Sequence, residues 1–327
     1  MNKYFIDFTN NNIEQFKNKY QISNDNFLLN QIKIERRNIK NFIRNNKINI
    51  TKNRIKDSKK FNNKIKEYSD AFFVDKNVIN SLDNLTEEYE FTWLDNKISI
   101  KSKKEVKECL KKRIHILIYI IEYLKQKTNN NRLDIYLVLT DLKKLFPENK
   151  IIDIEHVNTG YTDFNKNIIF IWRYEEFEKV LFHELVHFFD MDHKDKKIHI
   201  EKLSSIKPKK YHEAITDFWG ILYHLIYVSL ITQFKMKTLL ECELEFMRNQ
   251  ASYLNKYFNY GKNINQKTAA YSYYILKYLL FDYITNNEID INKIDNYQNI
   301  LNKISNNSIS NNYIKLNSSR MTLFQLY

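Results

Sequence analysis

The stretch that most constrains the fold is KVLFHELVHFFDMDH, residues 179–193. Its apolar residues recur at helical spacing, and further apolar residues widen the stripe until little polar surface is left. A helix of this kind is buried, so its remaining polar residues, His183, Glu184 and His187, need partners inside the protein. The sequence therefore predicts a central helix, over about 174–190, that carries a polar site within the core.

The spacing of these polar residues is typical of a zinc site. Residues four apart lie on one face of a helix, so His183 and His187 can direct imidazole nitrogens at one ion. Glu184 is rotated by about 100° and can reach a water molecule at that ion without binding the ion itself. Zinc lowers the pKa of such a water to roughly 7, so a carboxylate can take its proton. The alternative is a pair of core histidines that are satisfied by hydrogen bonds.

A catalytic zinc site usually has three protein ligands, and the sequence offers three candidates for the third. His193 completes a metzincin spacing, but Asp190 stands where that pattern has a glycine, and the sharp turn there is costlier for Asp. Asp190 itself can be a ligand only if the helix ends abruptly. Glu213 lies four residues before Asp217 on a second, otherwise apolar helix, so these two carboxylates share a face. The alternative for this pair is a solvated helix face.

The two motifs together resemble the gluzincin class of zinc peptidases, the thermolysin- and neprilysin-like group, over about residues 130–235. More closely, the chain looks like a family of uncharacterised predicted metallopeptidases of large nucleocytoplasmic DNA viruses. The matching stretches are VNTGYT, IFIWRYEEFEKVLFHELVHFFDMD, YHEAITDFWGIL and, more weakly, TAAYSYYILKYLL. The resemblance implies that NIIFIWR, residues 167–173, forms the edge of the cleft, where an extended peptide can add as a strand.

The resemblance also implies a role for each residue of the two motifs. His183, His187 and Glu213 are the implied zinc ligands, and His193 stays as the alternative third ligand. Asp217 is implied to orient a ligand histidine, since a carboxylate usually holds the far nitrogen of a zinc-bound imidazole. Glu184 is implied to be the general base.

One catalytic role has no counterpart in the resemblance, because the downstream histidine that stabilises the oxyanion in thermolysin has no convincing match here. A hydrogen-bond donor is needed near the carbonyl oxygen, where charge develops. The candidates are Tyr271, Tyr273 and Tyr274, with Tyr271 ahead. The alternative is packing, since the chain has 23 tyrosines.

The pattern along the chain predicts an α+β fold with a zincin-like core, in which a small mixed sheet covers the central helix and a mostly helical part follows. We expect a basic Asn- and Lys-rich region at 1–103, a catalytic core at 104–235 and a helical subdomain at 236–327 that completes the cleft. The expected elements are weakly ordered helices before residue 70, a hairpin at 89–101, strands at 132–140, 151–162 and 165–173, a short helix at 141–150, and helices at 104–127, 209–232, 235–258, 266–286 and 291–303.

Composition narrows the class of function. The net charge of +13 permits a nucleic-acid partner, but the lysines are scattered and charge is the only sign of one. Two cysteines give no disulfide framework, which fits a reducing compartment, and the most membrane-like window, 218–234, fits a buried helix better than a span. We expect a zinc metallopeptidase of the cytoplasm or of a virion, with Zn2+ as cofactor and a peptide or protein as substrate. The alternatives are a zincin-fold structural or virion protein without turnover and a basic nucleic-acid-associated protein.

Overall fold

The computed structural model describes residues 16, 19–72, 74–128, 132–147, 151–192, 198–200, 203, 209–257, 266–293, 297–305, 307, 309 and 318–325. In chain order its strands and helices are α1 Phe27–Asn45, β1 Thr51–Arg54, α2 Ser58–Ser69, α3 Asn77–Asn80, β2 Glu87–Trp93, β3 Asn96–Ser102, α4 Lys104–Thr128, β4 Asp134–Thr140, α5 Ile154–Val157, β5 Gly160–Asp163, β6 Ile168–Arg173, α6 Phe177–Phe188, α7 His212–Thr232, α8 Met236–Tyr257, α9 Lys277–Thr285 and α10 Tyr297–Ile304. A π-helix, Tyr271–Leu276, leads directly into α9. The chain thus has the expected α+β composition.

The six strands form one mixed sheet in the order β1-β2-β3-β4-β6-β5. The β3–β4 and β4–β6 pairs are parallel and the others are antiparallel. The expected hairpin is confirmed as β2 and β3, which pair from Glu87 with Ser102 to Trp93 with Asn96. Strand β6 lies between β4 and β5, so the expectation that NIIFIWR forms the cleft edge is wrong. The edge strand on this side is β5, Gly160–Asp163.

Both faces of the sheet are covered, and alternate residues of a strand point into two different cores. In β6, Ile169 and Ile171 point into a large core shared with α4, α6, α7 and α8, while Phe170 and Trp172 point into a smaller core under α2 and α3. Successive residues of a strand face opposite sides of the sheet, so a run without polar gaps is expected where both sides are buried. Helix α6 packs on β5 and β6 within the larger core.

The N-terminal region contributes to the larger core. Helix α1 begins at the cap residue Asn26, whose side chain accepts a hydrogen bond from the amide of Leu29. It buries Leu28, Leu29, Ile32 and Ile39, and it packs against α4, α7 and α8. The expectation of weakly ordered helices is therefore wrong for this stretch, and most of residues 1–18 lie outside the described part of the chain. Strands β1 to β3, which precede residue 103, share one sheet with the strands that follow it.

Two short elements differ from the expectations between β4 and β6. The expected helix at 141–150 is absent over 141–147, where Lys144 is drawn into the core by an ion pair with Glu176. The expected strand at 151–162 begins instead as the single turn α5. Asp153 accepts a hydrogen bond from the Ile154 amide, and His156 accepts one from the Asp153 amide, so this turn is capped on its own side chains.

Helix α7 is the apolar helix that contains most of the membrane-like window. Among the described helices, it alone is long and apolar enough to cross a membrane, and 89% of its most apolar window is buried inside the structure. It packs most extensively against α6 and also contacts α1, α4, α8, α9 and the π-helix. This burial is what the sequence predicts for a core helix.

Candidate metal centre

Two glycines bring the elements of the site into contact with α6. A Cβ at Gly220 of α7 would lie 3.1 Å from the backbone nitrogen and Cα of His183, so glycine is what lets the two helices approach this closely. A Cβ at Gly160 of β5 would lie 2.9 Å from Cγ1 of Val180 and 3.3 Å from Cγ of Glu184. The chain has only 3 glycines, and these two set the distances of α7 and β5 from the motif helix.

The close approach of α6 and α7 brings His183, His187 and Glu213 together. The Oε2 atom of Glu213 lies 3.3 Å from Nε2 of His183 and 3.4 Å from Nε2 of His187. One nitrogen or oxygen atom from each of the three residues lies within 4.8 Å of the others. His183 and Glu213 are buried, and His187 is nearly so. The structure therefore brings together the three residues expected to bind a metal.

A carboxylate holds the far nitrogen of each histidine ring. Nδ1 of His183 lies 2.7 Å from Oδ1 of Asp217, and Nδ1 of His187 lies 2.6 Å from Oδ2 of Asp192. The Thr216 hydroxyl donates to that same Asp192 oxygen at 2.7 Å. A carboxylate accepts a hydrogen bond, so Nδ1 carries the proton in each neutral ring and the Nε2 lone pairs face Glu213.

This arrangement fits a metal ion. In the described part of the chain, Oε2 of Glu213 is buried yet accepts no well-formed hydrogen bond. Two imidazole lone pairs and a carboxylate oxygen that face one another in a buried place repel unless a cation lies among them. Two nitrogens and one oxygen are a ligand set that zinc binds with a fourth position open.

His187 and Glu213 shift each other's pKa. Burial alone would lower the pKa of His187, but the carboxylates of Asp192 and Glu213 beside its ring raise that pKa well above the ordinary value. Burial works against ionisation of Glu213, yet the two histidines hold the pKa of its carboxyl well below the usual range. Each of these groups thus favours the charged form of the other.

Glu184 lines the same cavity as the three candidate ligands but does not belong to the group His183, His187 and Glu213. Its Oε2 atom accepts a hydrogen bond of 2.8 Å from the hydroxyl of Thr162 on the edge strand, and its backbone carbonyl lies 3.2 Å from the same hydroxyl. Thr162 thereby fixes both the side chain and the backbone of Glu184. Glu184 is only 6% exposed and lines the cavity, so a water molecule that meets its side chain does so there.

A cavity of about 140 Å³ opens over the cluster. Its walls come from the edge strand, α6, the start of α7, the π-helix and the 318–325 segment. The lining residues are Lys144, Val157, Asn158, Thr159, Gly160, Lys179, Val180, His183, Glu184, His187, Lys210, Glu213, Tyr273 and Met321. Glu184 and the three candidate ligands therefore share one solvent-connected space.

Of the three tyrosine candidates, Tyr273 is the one that lines this cavity. Its ring centroid lies 5.8 Å from that of His183, and its hydroxyl is within hydrogen-bonding reach of Glu213. Burial, and then the charges of Glu213 and Asp217, raise the pKa of this hydroxyl well above its ordinary value, so it stays a donor. Tyr274 instead donates to the backbone oxygen of Ser319.

Tyr271, the candidate ranked first from the sequence, is buried but does not line the described cavity. It begins the π-helix Tyr271–Leu276, and its amide donates to Gln266 at 2.9 Å. A π turn carries more residues per turn than an α-helix and so changes which side chains share a face. The prediction of a regular helix over 266–286 did not include a π turn. Tyr273, rather than Tyr271, lines the cavity.

Of the other two candidates for the third ligand, His193 lies outside the described residues. Asp190 is exposed and adopts φ of 51°, the left-handed conformation that the sequence argument held to be costly for Asp. Asp190 does not belong to the described ligand group.

Two residues of the site had no assigned role in the sequence. Asp192 follows the motif helix, and Thr162 lies in the VNTGYT stretch, where no spacing pattern assigns it a partner. For Lys179, by contrast, the sequence spacing indicates a position near the site. It lies four residues before His183, so both share one face of a buried helix, and its ammonium group contacts Asp217.

Comparison with known proteins adds nothing to the geometry of these residues. The chain matches no family model, no curated protein and no solved structure among those with which it was compared.

Proposed function

We propose that the protein is a zinc-dependent metallopeptidase that hydrolyses peptide bonds. One observation carries the proposal: His183, His187 and Glu213 converge within 4.8 Å while Glu184 lies in the same cavity, held by Thr162 and outside the ligand group. A site of two histidines and a glutamate leaves an open position for water, and a neighbouring carboxylate can serve as a base. The resemblance to gluzincins supports the same assignment.

The architecture around the site supports a zincin-like core. A mixed sheet covers the motif helix, its edge strand β5 contributes Gly160 to the cavity, and a second helix packed on the motif helix carries the third candidate ligand. This order of strand, motif helix and ligand helix is the one that the resemblance implies. We assign the zincin-like core to the part of the chain from β4 to the end of α7.

Each polar residue of the cavity has a chemical task in this proposal. Zinc bound by the three ligands supplies Lewis acidity and a water of lowered pKa. Glu184 takes the proton from the attacking water and passes it to the leaving amine. Thr162 holds the Glu184 carboxylate in place, and the Tyr273 hydroxyl donates a hydrogen bond to the oxygen of the carbonyl under attack.

The edge strand supports a peptide as substrate. Strand β5 pairs with β6 on one side, and no described strand pairs with its other side. Gly160 of this strand lines the cavity and Thr162 contacts Glu184. An extended peptide that adds to this edge places a backbone carbonyl over the ligand cluster, and the main-chain hydrogen bonds account for affinity without a fixed side chain.

A zinc site with a purely structural role is the main competing function. Such a site needs ligands but no base, and it is usually closed by a fourth protein ligand. The cavity over the cluster and the placement of Glu184 inside it favour catalysis. The +13 net charge alone supports binding to nucleic acid, and no geometry of the described residues adds to it.

Four purified proteins test the proposal by metal content and peptide hydrolysis. We expect about one zinc per chain in the wild type and in Glu184→Gln, and strong loss of zinc in Glu213→Ala. His199→Ala, which removes an exposed histidine, serves as the control and should keep both zinc and hydrolysis. Glu184→Gln should retain zinc but lose hydrolysis, roughly 100-fold or more. A wild type without zinc, or a Glu184→Gln protein as active as wild type, contradicts the proposal.

A further inference from the structure

Asp217, which holds the ring of His183, is itself held by two buried lysines. Lys179 of the motif helix contacts Oδ1, and Lys277 at the start of α9 lies 3.4 Å from Oδ2. All three side chains are at most 1% exposed. Two fully buried ammonium groups on one carboxylate are costly unless other acceptors share their charge.

Residues 318–325 supply those acceptors. The ammonium group of Lys277 donates to the backbone oxygen of Met321 at 2.9 Å, and that of Lys179 lies 3.3 Å from the Met321 sulfur. The Met321 side chain also lines the cavity above the ligand cluster. The 318–325 segment is therefore in contact with both lysines that fix Asp217.

Two buried carboxylates hold the backbone of the 318–325 segment. Oε1 of Glu176 accepts hydrogen bonds from the amides of Met321 and Thr322 at 2.6 and 2.8 Å. Oε2 of Glu243 accepts from the amide of Leu323 and from the hydroxyl of Thr322, both at 3.0 Å. Glu176 immediately precedes the motif helix and adopts φ of 61°, so the segment is attached at the helix N-terminus.

The contacts form a continuous path from the 318–325 segment to a candidate ligand. It runs from the Met321 carbonyl through Lys277 to Asp217, and from Asp217 to Nδ1 of His183. Removal of the segment leaves Lys277 with one fewer acceptor and admits water to the lysine pair. Both changes free the carboxylate plane of Asp217, and this plane orients the imidazole ring.

We propose that residues 318–325 are a positioning element of the metal centre, coupled to His183 through Lys277, Lys179 and Asp217. Docking of the segment and binding of the metal then favour each other. The inference rests on the proposed function only in that the three candidate ligands bind a metal. It adds that the affinity for this metal depends on a part of the chain that supplies no ligand.

Hydrogen exchange of the wild-type protein tests the coupling without any substitution. Coupling between two sites is reciprocal, so zinc must protect the docked segment by the factor by which docking raises zinc affinity. We expect the amides of Met321, Thr322 and Leu323 to exchange about 10-fold more slowly with zinc bound. The amides of α2, on the far face of the sheet, are the reference for any general stabilisation. Equal protection of the segment and α2 overturns the coupling.

Zinc and cobalt binding to one lysine variant and one arginine variant tests the path from Met321 through Lys277 to Asp217. Lys277→Met should weaken zinc binding about 10- to 100-fold in chelator competition and shift the visible absorption of the Co2+ form. Arg113→Met is the matched control, since Arg113 is equally a buried cation that pairs with a carboxylate of the motif helix, Glu178, and it has no described contact with Asp217. The control should bind zinc within about 2-fold of the wild type.

The outcomes separate this inference from the proposed function. A wild type that binds neither zinc nor cobalt contradicts the proposed function itself. A wild type that binds zinc, with Lys277→Met unchanged or with both variants equally weakened, overturns the positioning role alone. If Lys277→Met does not fold, the exchange measurement on the wild type decides.

Discussion

The two candidate ligand histidines, His183 and His187, lie four residues apart on one helix, yet their surroundings differ. His183 contacts Asp217, a fully buried carboxylate that two buried lysines hold and that lies on the long helix α7. His187 contacts Asp192, which follows the motif helix and has the hydroxyl of Thr216 as its further donor. One histidine is oriented by an ion-pair network, and the other by a neutral hydroxyl and a carboxylate.

This difference shows how far each half of the site depends on contacts between distant parts of the chain. On the His183 side, charged groups from three separate parts of the chain meet, α6, α7 and α9, so the geometry depends on the assembled core. On the His187 side, Asp192 and His187 are five residues apart, so most of the geometry is local. We therefore expect changes on the His183 side to alter stability and metal binding together, and changes on the His187 side to alter mainly metal binding.

The largest effect is expected from Asp217→Asn. This change leaves two buried lysines without their shared carboxylate, and such a loss costs about 3–5 kcal/mol. Urea unfolding of the metal-free protein measures it. Burial opposes ionisation of Asp217, but the lysines hold the pKa of its carboxyl well below the usual range, so its contribution to stability persists to acidic pH. A loss of stability under about 1 kcal/mol would show that the lysine pair does not depend on Asp217.

The pH dependence of the free energy of unfolding tests Lys277, which belongs to the network on the His183 side. Burial lowers the pKa of Lys277 from 10.5 to about 8. Between these values the unfolded chain holds a proton that the folded protein has released, so stability rises with pH through this window. Relative to Lys277→Met, the wild type should gain roughly 1–2 kcal/mol from pH 8 to 9.5 in denaturant titrations. Parallel profiles for the two proteins would exclude a lowered pKa for Lys277.

A smaller effect is expected from Gly220→Ala. The added Cβ meets the backbone of His183 at 3.1 Å, and a backbone cannot rotate away as a side chain can. Overpacking costs about 1–3 kcal/mol, and the better helix propensity of alanine returns about 1 kcal/mol, so we expect a net loss of roughly 1 kcal/mol. Zinc affinity should fall as well, since α7 carries Glu213. A more stable variant with full zinc affinity would show that α6 and α7 can separate without harm to the site.

The smallest effect on stability is expected from Asp192→Asn. The asparagine amide still offers an oxygen that can accept hydrogen bonds from Thr216 and His187, and the charge it removes is not paired with a buried lysine. We therefore expect the free energy of unfolding to fall by about 1 kcal/mol or less. Zinc affinity should still fall about 10-fold, because the ring of His187 loses its carboxylate partner. Calorimetric unfolding and chelator competition on the same sample separate the two effects. A loss of stability as large as that of Asp217→Asn would remove the contrast between the two histidines.

What the sequence predicts well is what helix geometry alone determines. His183 and His187 share a face because they are four apart, and so do Glu213 and Asp217. The resemblance, rather than the spacing, implied that the two pairs meet at one site. The hairpin β2–β3 and the helices α4, α7 and α8 have long, regular patterns and were predicted within a few residues of their bounds.

What the sequence does not predict depends on contacts between distant segments. Thr162 reaches Glu184 because β5 rather than β6 is the edge strand, and strand order is not readable from one strand's residues. Tyr273 rather than Tyr271 lines the cavity, and both lie in a π turn that no residue pattern predicts. Lys144, in a stretch expected to be helical, is held by Glu176, which also binds the 318–325 segment. A local pattern contains none of these pairings.

X-ray absorption at the zinc edge of the purified protein tests the central claim most directly. The proposal predicts one zinc per chain with two imidazole nitrogens and carboxylate or water oxygens at about 2.0–2.2 Å, and no sulfur ligand. In Glu213→Ala the protein should lose the metal or replace one oxygen ligand by water. A spectrum with sulfur ligands, or imidazole scattering that persists in a His183→Ala, His187→Ala protein, would contradict a metal centre at His183, His187 and Glu213.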